Sequence, residues 1–317
     1  MKFLIVDKRK RVGNLSTPHY AVQRLQEALD KKKIEHDFCH FDELSPSTNN
    51  GNFNILAKEK PITEYTHIIF RGHRSHYEYQ LKYYTVLFAE KHDIRVQNSE
   101  FIKMMPHYNK IHQMVTLGIK KIPYVDSYYC VDGRYHEKKE ALERIGFPLI
   151  YKHTEGAYRT EMIDGEEKLK KNVYLINNID ELKDEIERRD KPEKKFLGKD
   201  SMYFIQKYVD IGEDYRAIML GGKFLSGWKR IAQKGFLTVS HGEYSLYEKP
   251  EKDFLELSEK VASLIKADYC AIDIIYVNGK PYVLEINMEP GFKSFETKIE
   301  GAEVDVAESI IDNMLEK

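Results

Sequence analysis

The residues whose types and spacing could do chemistry lie between positions 271 and 291 of this 317-residue chain. Asp273 sits in one apolar run, and Glu285 and Asn287 close a second, with Asn278-Gly279 between them. Asn-Gly between apolar runs predicts a tight hairpin, which puts Asp273 and Glu285 on neighbouring antiparallel strands. Glu285 and Asn287 are two apart and so share one face of their strand. Asp273 needs only the matching register to join them, and two carboxylates and an amide oxygen would then converge. Hard oxygen donors in that number suit Mg²⁺ held jointly by protein and phosphates, rather than by a closed cage. Ile272, Ile274, Val283, Leu284 and Ile286 surround them, and a carboxylate in such strands needs a partner. A metal is one such partner. A solvent-facing sheet edge, or a neighbouring lysine, is another, and the spacing is compatible with both.

A second candidate is Arg71-Gly72-His73-Arg74, directly after the apolar run at 67–70. Open α/β sheets bind ligands at the carboxyl ends of their strands. Arg71 and Arg74 could there hold a substrate carboxylate bidentately, or form only a basic surface loop. His73 and His76 have a metal-ligand spacing but no further ligands beside them. No Ser-His-Asp order, Cys-His pair or Gly-Lys-Ser/Thr phosphate loop is present.

These groups need elements to position them. The apolar runs at 3–6, 67–70 and 94–97, with a strand at 35–41, alternate with helical patterns at 17–31 and 76–91. Thr17-Pro18 is a start signal for the first helix. The polar stretch 45–54 reads as loop. The alternation predicts a parallel α/β domain over residues 1–105. A second segment, 106–200, has helices at 110–117 and 179–189 and extended stretches at 125–131 and 147–152. A third, 201–317, has strands at 203–209, 214–220 and 223–228, a Gly221-Gly222 turn, helices at 254–266 and 303–314, and the 271–286 hairpin. The expected class is α/β, passing to α+β after residue 105.

Composition narrows the rest. Hydrophobic residues make up 42% of the chain, enough for a sizeable core. Fifty basic residues against 51 acidic ones leave a net charge of −1, so nothing in the balance suggests nucleic acid. Three dispersed cysteines argue against a disulfide framework and for a reducing, cytoplasmic setting. No apolar run is long enough to span a membrane, and the first residues read as a strand rather than a signal peptide.

The acidic strand, the hydrophobic-Glu-hydrophobic-Asn strand and the following Pro290-Gly291 resemble the ATP-grasp superfamily, and more closely its RimK-type ligases. The resemblance spans about residues 106–317. It implies that Asp273, Glu285 and Asn287 hold two Mg²⁺ ions on the phosphates of ATP, with Mn²⁺ an alternative. Gln206, Lys207, Tyr208 and Val209 look like the hinge strand that holds the adenine. Gly212-Glu213-Asp214-Tyr215-Arg216 is similar to the family's Gly-x-Asp-x-Arg segment. By the same resemblance Lys110 and Lys152 are nucleotide-binding lysines, Arg230 meets the transferred phosphate, and Arg216 serves substrate or phosphate. The family's glycine-rich phosphate loop is a departure here: residues 153–161 hold one glycine, and Arg159 could meet phosphate instead.

The implied activity is ATP-dependent carboxylate–amine ligation through an acyl-phosphate. An amino acid, peptide or protein would be the substrate, and a homo-oligomer is compatible with it. The alternative is a nucleotide-binding or scaffold protein without ligase activity.

Overall fold

The computed structural model describes residues 1–9, 18–72, 75–106, 108–154, 158–163, 166–189, 201–210, 212–231, 243–301 and 303–316, with backbone alone at 76, 158–163 and 166–171. The amino-terminal part runs β1 (Lys2–Asp7), α1 (Tyr20–Lys31), β2 (Glu35–His40), β3 (Leu44–Asn49), β4 (Asn52–Ala57), β5 (Lys60–Pro61), β6 (His67–Phe70), α2 (His76–Glu90), β7 (Arg95–Val96) and α3 (Ser99–Met104). A parallel sheet has the order β2-β1-β6-β7. The chain winds outward to β2 on one side of β1, then returns to β6 and builds β7 on the other. The carboxyl ends of β1 and β6 therefore flank the switch point of an open α/β sheet. Phe3, Leu4, Ile5 and Val6 are all buried, which is why β1 reads as an unbroken apolar run.

Two expectations change here. Helix α1 starts at Tyr20 with His19 as its N-cap, and Thr17 lies outside the described residues. The polar stretch 45–54 is mostly hairpin rather than loop. β3 and β4 pair antiparallel, and Asn50 (φ 49°) and Gly51 (φ 78°) form the turn. Two successive left-handed residues are what an Asn-Gly turn supplies. The flanking side chains are polar because most of the hairpin faces solvent.

The middle of the chain comprises α4 (Lys110–Ile119), β8 (Ser127–Tyr128), α5 (Lys139–Ile145), β9 (Leu149–His153), β10 (Tyr158–Ile163), β11 (Glu166–Lys171), β12 (Val173–Ile176), α6 (Ile179–Arg189) and β13 (Tyr203–Lys207). Its antiparallel sheet has the order β12-β9-β13-β8. Thus β13, expected in the third segment, belongs to this sheet. Leu149, Tyr151, Leu182, Ile186, Tyr203 and Ile205 form a core of their own, in which the Tyr151 and Tyr203 rings stack 4.7 Å apart.

The last part comprises β14 (Glu213–Leu220), β15 (Lys223–Ile231), β16 (Glu243–Leu246), α7 (Lys252–Ile265), β17 (Tyr269–Val277), β18 (Lys280–Asn287), α8 (Lys293–Lys298) and α9 (Val306–Glu316). An antiparallel sheet, β16-β15-β14-β17-β18, is covered on both faces. Ala217, Met219, Ile272 and Ile274 pack with Phe254, Leu257 and Val261 of α7. Ile218, Trp228 and Ala271 pack with Phe295, Ile310 and Met314 on the other side. Asn278 (φ 51°) and Gly279 (φ 72°) make the expected turn between β17 and β18.

Close approach of β15 to β14 requires Gly227. A Cβ at this position would lie 2.8 Å from the Arg216 carbonyl oxygen and 3.1 Å from the Phe224 ring. Gly227→Ala should therefore destabilise the protein by about 1–3 kcal/mol in urea unfolding. Gly118, in α4, has open space where its Cβ would be, so Gly118→Ala should stabilise by about 0.5–1 kcal/mol.

Candidate active site

Alternation along the strands brings the charged residues to one face of the carboxy-terminal sheet. Asp214 and Arg216 are two apart on β14, Trp228 and Arg230 on β15, Ala271 and Asp273 on β17, and Glu285 and Asn287 on β18. The register sets them side by side: Asp214 opposite Arg230, Arg216 opposite Asp273, and Asp273 opposite Glu285. The hairpin reasoning put Asp273 and Glu285 on neighbouring strands, and a bulge between Asp273 and Ile274 supplies the register that sets them opposite each other.

Asp273 is 6% exposed and receives two guanidinium groups. Arg216 donates from Nε and Nη2 at 2.6 and 2.7 Å, and Arg230 Nη2 lies 2.8 Å from Oδ2. Arg230 also forks onto Asp214, at 2.6 and 2.5 Å. Burial alone would raise the Asp273 pKa, but the two arginines hold it well below the usual carboxylate range. Burial raises Asp214 against the pull of Arg230, with Asp273 adding a second negative charge nearby. The two arginines expected to meet phosphate or substrate thus hold carboxylates in this structure, and Asp214 is the partner of Arg230.

Glu285 is half-buried and takes Lys110 Nζ at 3.0 Å. Burial pushes its carboxyl up, yet Lys110 and Lys152 outweigh that and lower it. Lys152, on β9, is 6% exposed and makes no hydrogen bond or ion pair with the described residues. Its Nζ lies 5.2 Å from the centre of the Phe204 ring. Burial brings its pKa down to about 8, with Glu285 opposing and Lys110 adding to the drop. Lys110, Lys152, Arg216 and Arg230 together outnumber Asp214, Asp273 and Glu285 by one positive charge, which favours an anionic ligand.

Gln113 was not anticipated. It lies three residues after Lys110 on α4, so the two share a helix face. Its Nε2 donates to the Ile286 carbonyl at 2.9 Å and its Oε1 accepts the Ile286 N–H at 2.9 Å. The Tyr108 hydroxyl donates to the same carbonyl at 2.6 Å. These bonds clamp the backbone between Glu285 and Asn287. A glutamine that serves a backbone amide follows no spaced motif, so nothing in the sequence marked it.

The hinge residues sit at the end of β13. Gln206 is buried and its Nε2 donates to Ser127 Oγ at 2.9 Å. Lys207 is exposed and donates its backbone N–H to the Asp126 carbonyl at 2.8 Å. Tyr208 and Val209 follow, half-buried. Of the glycine-poor stretch 153–161, Thr154 accepts the Lys110 N–H at 3.1 Å, and residues 158–161 lie in β10 rather than in a loop. Residues 155–157 and the Arg159 side chain lie outside the described residues, as do His73, Arg74 and the His76 side chain. Arg71 is buried, so the surface-loop reading fails for it.

The donor set fits a divalent cation. Asp273 and Glu285 already hold cationic groups through their oxygens, and Asn287 Oδ1 accepts the Glu289 N–H at 3.0 Å. Among the described residues no three acidic, histidine or cysteine side chains form a metal cage. Two carboxylates and an amide leave the remaining coordination positions to phosphate and water.

A family model for the RimK-like ATP-grasp domain matches residues 107–314, which include Lys110, Lys152, Asp214, Arg216, Arg230, Asp273, Glu285 and Asn287. The chain belongs to the RimK-like ATP-grasp family. A probable alpha-L-glutamate ligase of Maridesulfovibrio salexigens is 26% identical over 121 residues, which are 37% of this chain and 39% of that protein. The match therefore spans well under half of that relative's length. The solved ATP-grasp ligase PsnB, complexed with a minimal precursor, Mg and ADP, superposes with a TM-score of 0.65 at 15% identity, covering 99% of this chain and 96% of that one. A Chryseobacterium gregarium RiPP-associated ATP-grasp ligase, in complex with ADP and a leader and core peptide, gives 0.66 at 16%, covering 100% and 97%. These likenesses show that the RimK-like chain has the ATP-grasp fold along its whole length, the parallel amino-terminal sheet included.

Asp273→Asn removes the charge that two buried arginines share, and should destabilise the fold by about 3–5 kcal/mol. Glu285→Gln, at a half-buried position with one lysine partner, should cost about 1 kcal/mol or less. Urea unfolding of both variants checks the contrast.

Proposed function

We propose that the protein is an ATP-dependent ligase joining a carboxylate to an amine, with an amino acid or a peptide as substrate. The observation that carries this reading is Lys152, a buried ammonium that forms no ion pair among the described residues and is opposed by the charge of Glu285 on β18. An anionic ligand brought to that position would complete the charge balance. Family membership supports ATP as that ligand. The relatives named above, a glutamate ligase and two peptide-bound ligases, support an amino acid or peptide as the other substrate.

In the proposed reaction a substrate carboxylate oxygen attacks the γ-phosphorus of ATP. Its bond to phosphorus forms as the bond to the β–γ bridging oxygen breaks, leaving ADP. The amine nitrogen then attacks the acyl carbon, phosphate leaves with the C–O electron pair, and the amine loses a proton. Both reactants of the first step are anionic, so positive charge must be concentrated around them. Lys152 and Lys110 would hold the phosphates. Arg216 and Arg230 would share their charge between Asp273 and the reacting groups. Asp273, Glu285 and Asn287 would hold Mg²⁺, two ions in our reading with Mn²⁺ able to replace them, to neutralise the phosphate oxygens and polarise the γ-phosphate. The backbone at Gln206, Lys207, Tyr208 and Val209 would take the adenine. No protein nucleophile is needed.

We also divide the chain into an amino-terminal α/β domain (1–105) and two ATP-grasp subdomains, with the last boundary after β13. Cys39, Cys130 and Cys270 are buried and free, which supports a reducing, cytoplasmic location. No helix among the described residues is long and apolar enough to cross a membrane.

The test is ADP release over a panel of carboxylic acids and amines. Release that needs both an acid and an amine, and that falls by about 10²–10³ in Glu285→Gln and in Lys152→Met, supports the ligase reading. Turnover unchanged in both variants, each folded by circular dichroism, would sink it.

A further inference from the structure

The switch-point crevice at the carboxyl ends of β1 and β6 holds a cation outside the catalytic constellation. Arg71 follows β6, with its backbone N–H bonded to the Val6 carbonyl at 2.8 Å. Its side chain is fixed on three sides. Nη2 donates to the Pro290 carbonyl at 2.7 Å, and the Tyr269 and Phe292 rings lie 5.6 and 5.5 Å from the guanidinium carbon. The residue is 3% exposed, yet Nε and Nη1 are buried with no hydrogen-bond partner. A buried donor left without an acceptor is destabilising. The Nη1 edge of this rigidly held arginine suits an anion delivered from outside, while Nε points to the other side.

The surroundings favour negative charge. The Lys8 side chain covers Gly72 so closely that a Cβ there would lie 2.6 Å from the Lys8 Cε. Lys82 is fully buried and donates to the Arg71 carbonyl at 3.0 Å. The nearby carboxylates are engaged elsewhere. Asp7 takes His19 Nδ1 at 2.6 Å and the Lys8 N–H at 2.8 Å, and Glu289 is paired with Lys82. Pro290 lies three residues beyond Asn287, so Arg71 is bonded to the segment that leaves the proposed metal strand.

We propose that Arg71 donates from Nη1 to a carboxylate of the acid substrate, and so selects and positions that substrate at the switch point. The proposal rests on the ligase reading for the word substrate, while the anion site itself rests on Arg71 alone. A carboxylate matches the planar donors of a guanidinium in short, charge-assisted bonds. The nucleotide phosphates have Lys110 and Lys152.

Thermal melts of the full chain, with and without saturating Mg²⁺ and ADP, test this with succinate, L-glutamate and inorganic phosphate as probes. Either carboxylate should raise the melting temperature of the wild type. Arg71→Gln should keep the Mg–ADP shift but need at least tenfold more carboxylate for the same response, with Arg71→Lys between the two. The proposal is overturned if the wild type shows no carboxylate response, if Arg71→Gln responds like the wild type, or if the Arg71-dependent response is larger for phosphate. Should Arg71→Gln fail to fold, Arg71→Lys, which keeps the charge, decides on the same criteria. A missing Mg–ADP shift in the wild type would count against the ligase reading instead, and the nucleotide-free titrations would still read the anion site.

Discussion

Taking a carboxylate out of water costs several kcal/mol unless it is paired, and Asp273 is buried in the middle of an antiparallel sheet. Its compensation comes from both arginines that the sheet brings to that face. Bidentate forks are directional, so satisfying Asp273 fixes β14 against β17 and draws in β15 through Arg230. Arg230 carries a second carboxylate, Asp214, in the same bonds. Glu285, the next acid along, lies on the far strand and takes Lys110 from α4 instead. One buried charge thus links three strands, and a second acid ties the fourth to a helix from another part of the chain. In the observed register none of these groups is left unpaired.

Lys152 stands apart from that balance. It is the fourth cation facing three carboxylates, it lies on the other sheet, and burial has lowered its pKa to about 8. An incoming anion would favour its charged form and offset the effect of burial. On the proposed reading, the sheet face offers a polyphosphate both oxygen donors for its metal and cations for its charge. The amino-terminal sheet repeats the arrangement on a smaller scale, with Arg71 bonded to the turn after β18.

Much of this was legible in the sequence, for physical reasons. The Asn278-Gly279 turn pins a two-residue hairpin and puts Asp273 and Glu285 on neighbouring strands, but a bulge between Asp273 and Ile274, unmarked in the sequence, is what sets the two opposite each other. The apolar runs of β1 and β6 declare strands buried on both faces, and the family resemblance carried the lysines. What stayed hidden depends on contacts distant in sequence. Arg216 and Asp273 meet only through strand pairing across 57 positions. Gln113 serves a backbone amide and leaves no pattern. The β3–β4 hairpin was missed although Asn50-Gly51 is the same signal as Asn278-Gly279, because its solvent-facing strands lack apolar runs. Arg71 was placed at the right strand end, but its burial depends on Pro290, Tyr269 and Phe292, far along the chain.

The central claim is that this sheet face binds nucleotide phosphates and Mg²⁺ together. Differential scanning calorimetry with a non-hydrolysable ATP analogue alone, Mg²⁺ alone and both together addresses it directly. A ligand at 100 times its Kd, binding only the folded state, stabilises by about 2.7 kcal/mol, or a few degrees. The account predicts a small shift with either component and a shift of several degrees with both. No shift with the pair at saturating concentrations would contradict it.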